Sequence, residues 1–185
     1  MHKNIYLETL KLFGNKGVRF TTEELARELG TSKRTIYNCF TTKDELIEKT
    51  IDFVFEEMYV SDTLILEKKE VPIHTRLELY FQNTPDAYSL SSLVQHMDDL
   101  QRYYPVLWEK LNHYLNDVWN PLIEVIEDGI RTGELEETDT TVLKIMLIQT
   151  QKKLLDYEFL ATNQVSYDHA VKSMGKIILT GLLKR

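Results

Sequence analysis

Between Thr31 and Phe40 the chain reads TSKRTIYNCF. Four of these side chains are of types that hold nucleic acid. Lys33 and Arg34 can neutralise phosphates or read guanine edges. Tyr37 can donate its hydroxyl to a phosphate, and Asn38 can pair with adenine or bond a phosphate. The rest of the chemistry in the sequence is sparse. Cys39 is the only cysteine and is read as a half-buried filler, because a free thiol is mostly structural. His96, Asp99 and Tyr103 share one helix face by spacing. They are read as a surface network, since two spaced ligands do not make a metal site. No Gly-x-Gly-x-x-Gly, Gly-x-x-x-x-Gly-Lys or His-Glu-x-x-His motif occurs, and no histidine follows a Glu by three residues. No catalytic residue, cofactor or metal is assigned, and an enzyme is not expected.

The charge is uneven. Residues 1–50 hold nine Lys/Arg against seven Asp/Glu, whereas the other 135 hold 13 against 22 and the whole chain carries −7. Contact with nucleic acid is therefore expected only near the start, because the remainder would repel it. One cysteine and the lack of any long apolar run fit a cytoplasmic protein with no membrane association.

Helical periodicity must position these groups, so the expected fold is all-α. A first helix is predicted over about 4–15, with Tyr6, Leu10 and Phe13 on one face. Thr21 and Glu24 have capping-box spacing and open a second helix that Gly30 ends. Thr31 or Ser32 caps a third helix reaching about Cys39, and Thr41 or Thr42 a longer fourth. Residues 61–71 read as either an extension of it or a loop. Further helices are expected over 74–82, 87–102, from Pro105 onward with a kink at Pro121, over 140–161 and over 167–184.

The second and third helices satisfy the steric requirements of a helix-turn-helix. Ala26 is small where the helices touch, Gly30 permits the tight turn, and Ile36 holds the angle from inside the second helix of the pair. Ile36 and Phe40 then face inward, leaving Lys33, Arg34, Tyr37 and Asn38 outside. Thr22 and Lys43 sit at the starts of the flanking helices.

The segment LFGNKGVRFTTEELARELGTSKRTIYNCFTTKDELI, residues 12–47, resembles the DNA-binding domain of the TetR family of bacterial transcriptional regulators. The matching features run in order: Leu12 and Phe13, Gly17, Thr22, Ala26, Gly30, Ser32, Lys33, Ile36, Tyr37, Phe40, Lys43 and Leu46. The resemblance implies a three-helix DNA-binding domain followed by a helical effector-binding domain that dimerises through its last two helices. It implies backbone contacts from Thr22, Lys33, Tyr37 and Lys43, and places Thr35 and Asn38 on the groove-facing side. Arg34 departs from a position commonly small, which adds a base or phosphate contact. Cys39 departs from one usually His or aromatic.

The expected organisation is residues 1–47 for a double-stranded DNA operator and 48–185 for a small-molecule effector and the homodimer. Candidate effector-pocket residues are Met97, Trp108, Tyr114 and Trp119, bulky groups on central helices, and Gln149, which interrupts an apolar run. The expected function is a repressor that binds a palindrome as a dimer and is released by its effector. The alternative is a helical protein-interaction module that does not read DNA.

Overall fold

The computed structural model describes residues 2–83 and 96–183. All regular elements among them are helical, and the single β-type contact is an isolated antiparallel bridge between Leu135 and Leu183. The helices are α1 His2–Lys16, α2 Thr22–Glu28, α3 Lys33–Cys39, α4 Lys43–Leu66, α5 Ile73–Gln82, α6 Met97–Tyr103, α7 Pro105–Asp117, α8 Asn120–Arg131, α9 Thr140–Leu154, α10 Tyr157–Thr162 and α11 Tyr167–Leu182, with a short 3₁₀ turn at Gly17–Arg19 after α1. No described helix is long and apolar enough to cross a membrane.

Backbone packing groups the chain into two compact units: Met1–Glu57 with Pro85–Asn112, and Met58–Thr84 with His113–Arg185. In the first, Leu10, Phe13, Phe20, Leu25, Ile36, Leu46 and Ile47 are fully buried. In the second, Leu77, Tyr80 and Phe81 of α5 pack with Trp119, Leu122 and Ile126, with Leu143 and Leu147 of α9, and with Leu179 and Leu182 of α11.

Several expected boundaries shift for identifiable reasons. Residues 61–66 continue α4 rather than forming a loop, because Met58, Asp62 and Leu66 all turn inward at a four-residue spacing. The helix expected over 140–161 is two helices. Asp156 takes an extended conformation, and its carboxylate accepts from the Phe159 amide at 2.8 Å, capping α10. The segment from Pro105 breaks before Pro121, so α8 starts at Asn120 with the proline in its first turn, where no N–H is needed. Residues 87–95 of the helix expected over 87–102, with Leu90, Leu93 and Val94, lie outside the described residues; Met97 and Leu100 are buried.

Gly175 has a packing role inside the second unit. A Cβ there would lie 2.3 Å from the Phe81 Cγ and 2.5 Å from its Cβ, too close to be relieved by moving a side-chain tip. Gly175→Ala is expected to lower stability by about 1–2 kcal/mol in urea unfolding, since an overpacking cost of roughly 1–3 kcal/mol exceeds the gain of up to about 1 kcal/mol in helix propensity.

Candidate nucleic-acid interface

The site begins with how α2 is started and stopped. Thr21 Oγ1 accepts from the Glu24 amide at 3.2 Å while Glu24 Oε2 accepts from the Thr21 amide at 2.9 Å, a reciprocal capping box. Lys16 adds an ion pair at 2.5 Å to the same carboxylate. The hydrogen bonds from Lys16 and from the Thr21 backbone hold the Glu24 carboxyl at about 2. At the other end Gly30 adopts φ +62°, a left-handed conformation that a side chain would strain. The Thr31 amide then returns to the Ala26 carbonyl at 2.8 Å.

This turn aims α3. Ser32 caps it, accepting from the Thr35 amide at 3.1 Å. Ala26 and Leu25 of α2 and Ile36 of α3 are buried together in the unit's core, and Phe40 follows α3 in extended backbone and is buried too. With Ile36 turned in, Lys33, Arg34, Tyr37 and Asn38 are left exposed on the remaining faces. Tyr37 keeps 42% of its surface open, large for an aromatic ring in so small a unit.

The polar groups are already linked to one another. Lys33 pairs with Glu23 of α2 and lies 5.7 Å from the centre of the Tyr37 ring. The Tyr37 hydroxyl is 3.4 Å from Thr22 Oγ1, so a buried α2 threonine and an exposed α3 tyrosine meet on one surface. Thr35 is half-buried, with its hydroxyl 2.9 Å from Ser32 Oγ, which engages it in the helix start. Lys43, expected to meet the DNA backbone, is turned onto neighbouring groups at the start of α4. Its ammonium donates to the Val18 carbonyl at 2.5 Å and sits 4.4 Å from the Phe20 ring centre. Burial holds its pKa below the usual lysine value. Cys39 is half-buried.

Glu23 was not anticipated among the site residues. The hydrogen bond from Lys33 lowers its pKa, so the carboxylate is ionised and occupies the ammonium a phosphate would need. The spacing of Glu23, two residues after the capping Thr21 and ten before Lys33, carries no signal until the turn at Gly30 brings the helices together. Glu23→Gln is expected to tighten binding to duplex DNA severalfold at low salt, with the gain shrinking as salt screens the lost repulsion. Fluorescence anisotropy at two salt concentrations measures it.

His96 and Asp99 belong to the first unit's packing. The His96 ring meets Phe13 edge-on at 5.9 Å, and its Nε2 is 3.1 Å from the Gly14 carbonyl. Asp99 lies 3.8 Å from His96 Nδ1, and Tyr103 is half exposed. Among the described residues no group of three His, Cys, Asp or Glu is placed to hold a metal.

The five residues expected around an effector are divided between the two units. Met97 and Trp108 fall in the first unit and Tyr114, Trp119 and Gln149 in the second. Gln149 is exposed, whereas Gln151, about 200° further round the helix, is buried. Its Oε1 accepts from Trp119 Nε1 at 2.6 Å.

A helix-turn-helix with an exposed cationic and aromatic second helix defines a DNA-binding protein of the regulator class. Residues 5–50 match the family model described as bacterial regulatory proteins, tetR family, so this segment carries the N-terminal DNA-binding domain of that family. It is 23% identical over 182 residues to an uncharacterized HTH-type transcriptional regulator, YvaF of Bacillus subtilis (strain 168), covering 98% of this chain and 95% of that one. Among solved structures it resembles a transcriptional regulator from Saccharomonospora viridis in complex with choline, with TM-score 0.73, 17% identity and coverage of 100% and 98% of the two chains. It also resembles FadR from Bacillus subtilis in complex with stearoyl-CoA, with TM-score 0.71, 16% identity and coverage of 98% and 99%. These likenesses extend the shared fold over both units.

Proposed function

We propose that the chain is a dimeric repressor that holds a palindromic operator with two copies of α3 and lets go when a small molecule enters the second unit. The observation that carries the DNA half is the exposed face of α3, with Lys33, Arg34, Tyr37 and Asn38 on the outside of a helix fixed by Ile36. In this reading Thr22, Lys33 and Tyr37 hold phosphates, and Arg34 and Asn38 meet base edges in the major groove. Thr35 borders the same groove, and Lys43 joins them by exchanging the Val18 carbonyl for a phosphate. DNA binding belongs to residues 1–47 and the remaining functions to 48–185.

The dimer half draws on surface left uncovered. Val142, Ile145 and Met146 of α9 and Ile177 of α11 are large apolar side chains that stand exposed, Ile145 by 54% and Ile177 by 74%. Large apolar side chains left exposed on these two helices favour a protein partner, and a palindrome calls for a second copy. A Cβ at Gly181 would meet nothing within 4 Å, which leaves α11 open to close approach there. The choline and stearoyl-CoA held by two solved structures of the same fold support reading this chain as one that takes a small-molecule ligand. Of the expected pocket residues Trp119 is kept in this reading, joined by Gln151, which takes the inward place expected of Gln149.

Sedimentation velocity at micromolar concentration is expected to show a dimer. Ile145→Glu with Ile177→Glu should give folded monomers that bind operator at least tenfold more weakly. A wild-type monomer with undiminished operator affinity would sink the dimeric reading.

A further inference from the structure

Asp62 is in the wrong place for an aspartate. It occupies the inward stripe of α4 between Met58 and Leu66, and only 9% of it is exposed. It also lies one turn from the C-terminal end of α4, where the helix dipole disfavours negative charge. Among the described residues its one hydrogen-bond partner is the neutral Asn83 amide, 3.2 Å from Oδ1, which also reaches Ser61 Oγ at 2.8 Å. No Lys, Arg or His among the described residues forms an ion pair with it. Arg76 stands two turns before Asn83 on the same face of α5, and its guanidinium instead donates to the Leu66 carbonyl at 2.6 Å. Buried charges are ordinarily paired, because removing one from water costs more than packing returns.

The surroundings are aromatic. Tyr80, one turn before Asn83, is buried and lies 6.3 Å from the Trp119 ring. Trp119 is fixed by Gln151, which also hydrogen-bonds Tyr167. Burial, and after it the Asp62 carboxylate, hold the Tyr80 pKa well above its ordinary value. A buried carboxylate without a counter-ion selects positive charge and rejects negative, and aromatic rings in the same core, such as Tyr80 on the turn before Asn83, add to that preference.

We propose that the effector of this chain is a small organic cation, an amine or quaternary ammonium, with Asp62 as its counter-ion and Tyr80 and Trp119 as its aromatic walls. This rests on the reading of the second unit as an effector domain and names the chemical class that it takes. A bound cation supplies the charge that the fold omits. An acyl or other anionic ligand would meet repulsion at the same place.

The test is calorimetry on the full chain with alkyltrimethylammonium ions of one to eight carbons, against alkanols and carboxylates of matched length. At least one cation is expected to bind tenfold or more tightly than its matched alkanol, and no carboxylate to bind. Asp62→Asn should abolish the preference for the cation over the alkanol. Tyr80→Leu should weaken the cation tenfold, while Tyr80→Phe, which keeps the ring, should not. In a Trp108→Phe background the binding should perturb the fluorescence of Trp119. Failure of every cation to bind, equal binding of the alkanols, or unchanged preference in Asp62→Asn would overturn the proposal. Operator binding measured on the same samples separates the two levels. Release of DNA by a carboxylate or alkanol alone leaves the regulator standing and removes the cation, whereas cation binding by a protein with no affinity for any duplex does the reverse.

Discussion

Replacing Lys33 and Tyr37 together by alanine is expected to weaken operator binding by about a hundredfold, with the protein still folded. Both side chains point away from the core that Ile36 and Phe40 secure. Their removal takes away one exposed ion pair, with Glu23, and a hydroxyl contact at 3.4 Å, neither of which holds the fold. Each is expected to lose a charge-assisted contact to phosphate. The salt dependence is the sharper readout: loss of Lys33 should reduce the slope of log affinity against log salt by about one, and loss of the Tyr37 hydroxyl should leave it unchanged. Titration of each single variant at several salt concentrations separates the two. A double variant that binds as tightly as wild type would remove α3 from the interface.

The second large effect concerns stability and pH. Burial raises the Asp62 carboxyl to about 6 against an ordinary 3.8, the Asn83 hydrogen bond working the other way. The folded chain therefore holds a proton between those pH values that the unfolded chain has lost. Stability from this group is fully present below about pH 4, declines as pH rises through 6 and is absent above it. The difference corresponds to about 3 kcal/mol. Asn at this position has no charge to bury and can still accept from Asn83. Asp62→Asn is thus expected to be more stable than wild type by up to about 3 kcal/mol at pH 8, with the gap closing towards pH 4. Tyr80 and Tyr167, whose pKa values burial pushes up, stay protonated across this window and do not contribute. Paired urea titrations at pH 4.5 and 8 measure it, and a gap that does not change with pH would show that Asp62 is not ionised at a cost. A stabilising loss of this kind is what a residue kept for binding rather than folding should produce.

Much of the DNA-reading unit was legible because each step is local. Thr21 with Glu24, Ser32 before Thr35, and the order Ala26, Gly30, Ile36 are short-range constraints, and the helices follow them to within a residue or two. The second unit was less legible because its helices have two apolar faces. In α9, Leu143 and Leu147 are buried while Val142, Ile145 and Met146 are exposed, so periodicity could not say whether Gln149 or Gln151 pointed in. Asp156 ends a helix without any Gly or Pro to announce it. Asp62 was hidden for a different reason. Its spacing from Met58 and Leu66 marks a charge in a core stripe, but only once α4 is known to run through to Leu66.

The charge asymmetry of the sequence also acquires a finer form. The basic face of α3 is restrained by an acidic neighbour, Glu23, and the lysine at the start of α4 is turned onto its own backbone. In the proposed reading this holds down affinity for arbitrary DNA and leaves discrimination to Arg34 and Asn38 at base edges.

Footprinting with the full chain on the DNA upstream of its own gene tests the central claim most directly. The account predicts protection of a palindrome whose two half-sites are centred about one helical turn, roughly 34 Å, or a multiple of it apart, lost in Lys33→Ala with Tyr37→Ala and weakening steeply with salt. Uniform, sequence-independent protection, or none at low salt, would contradict it.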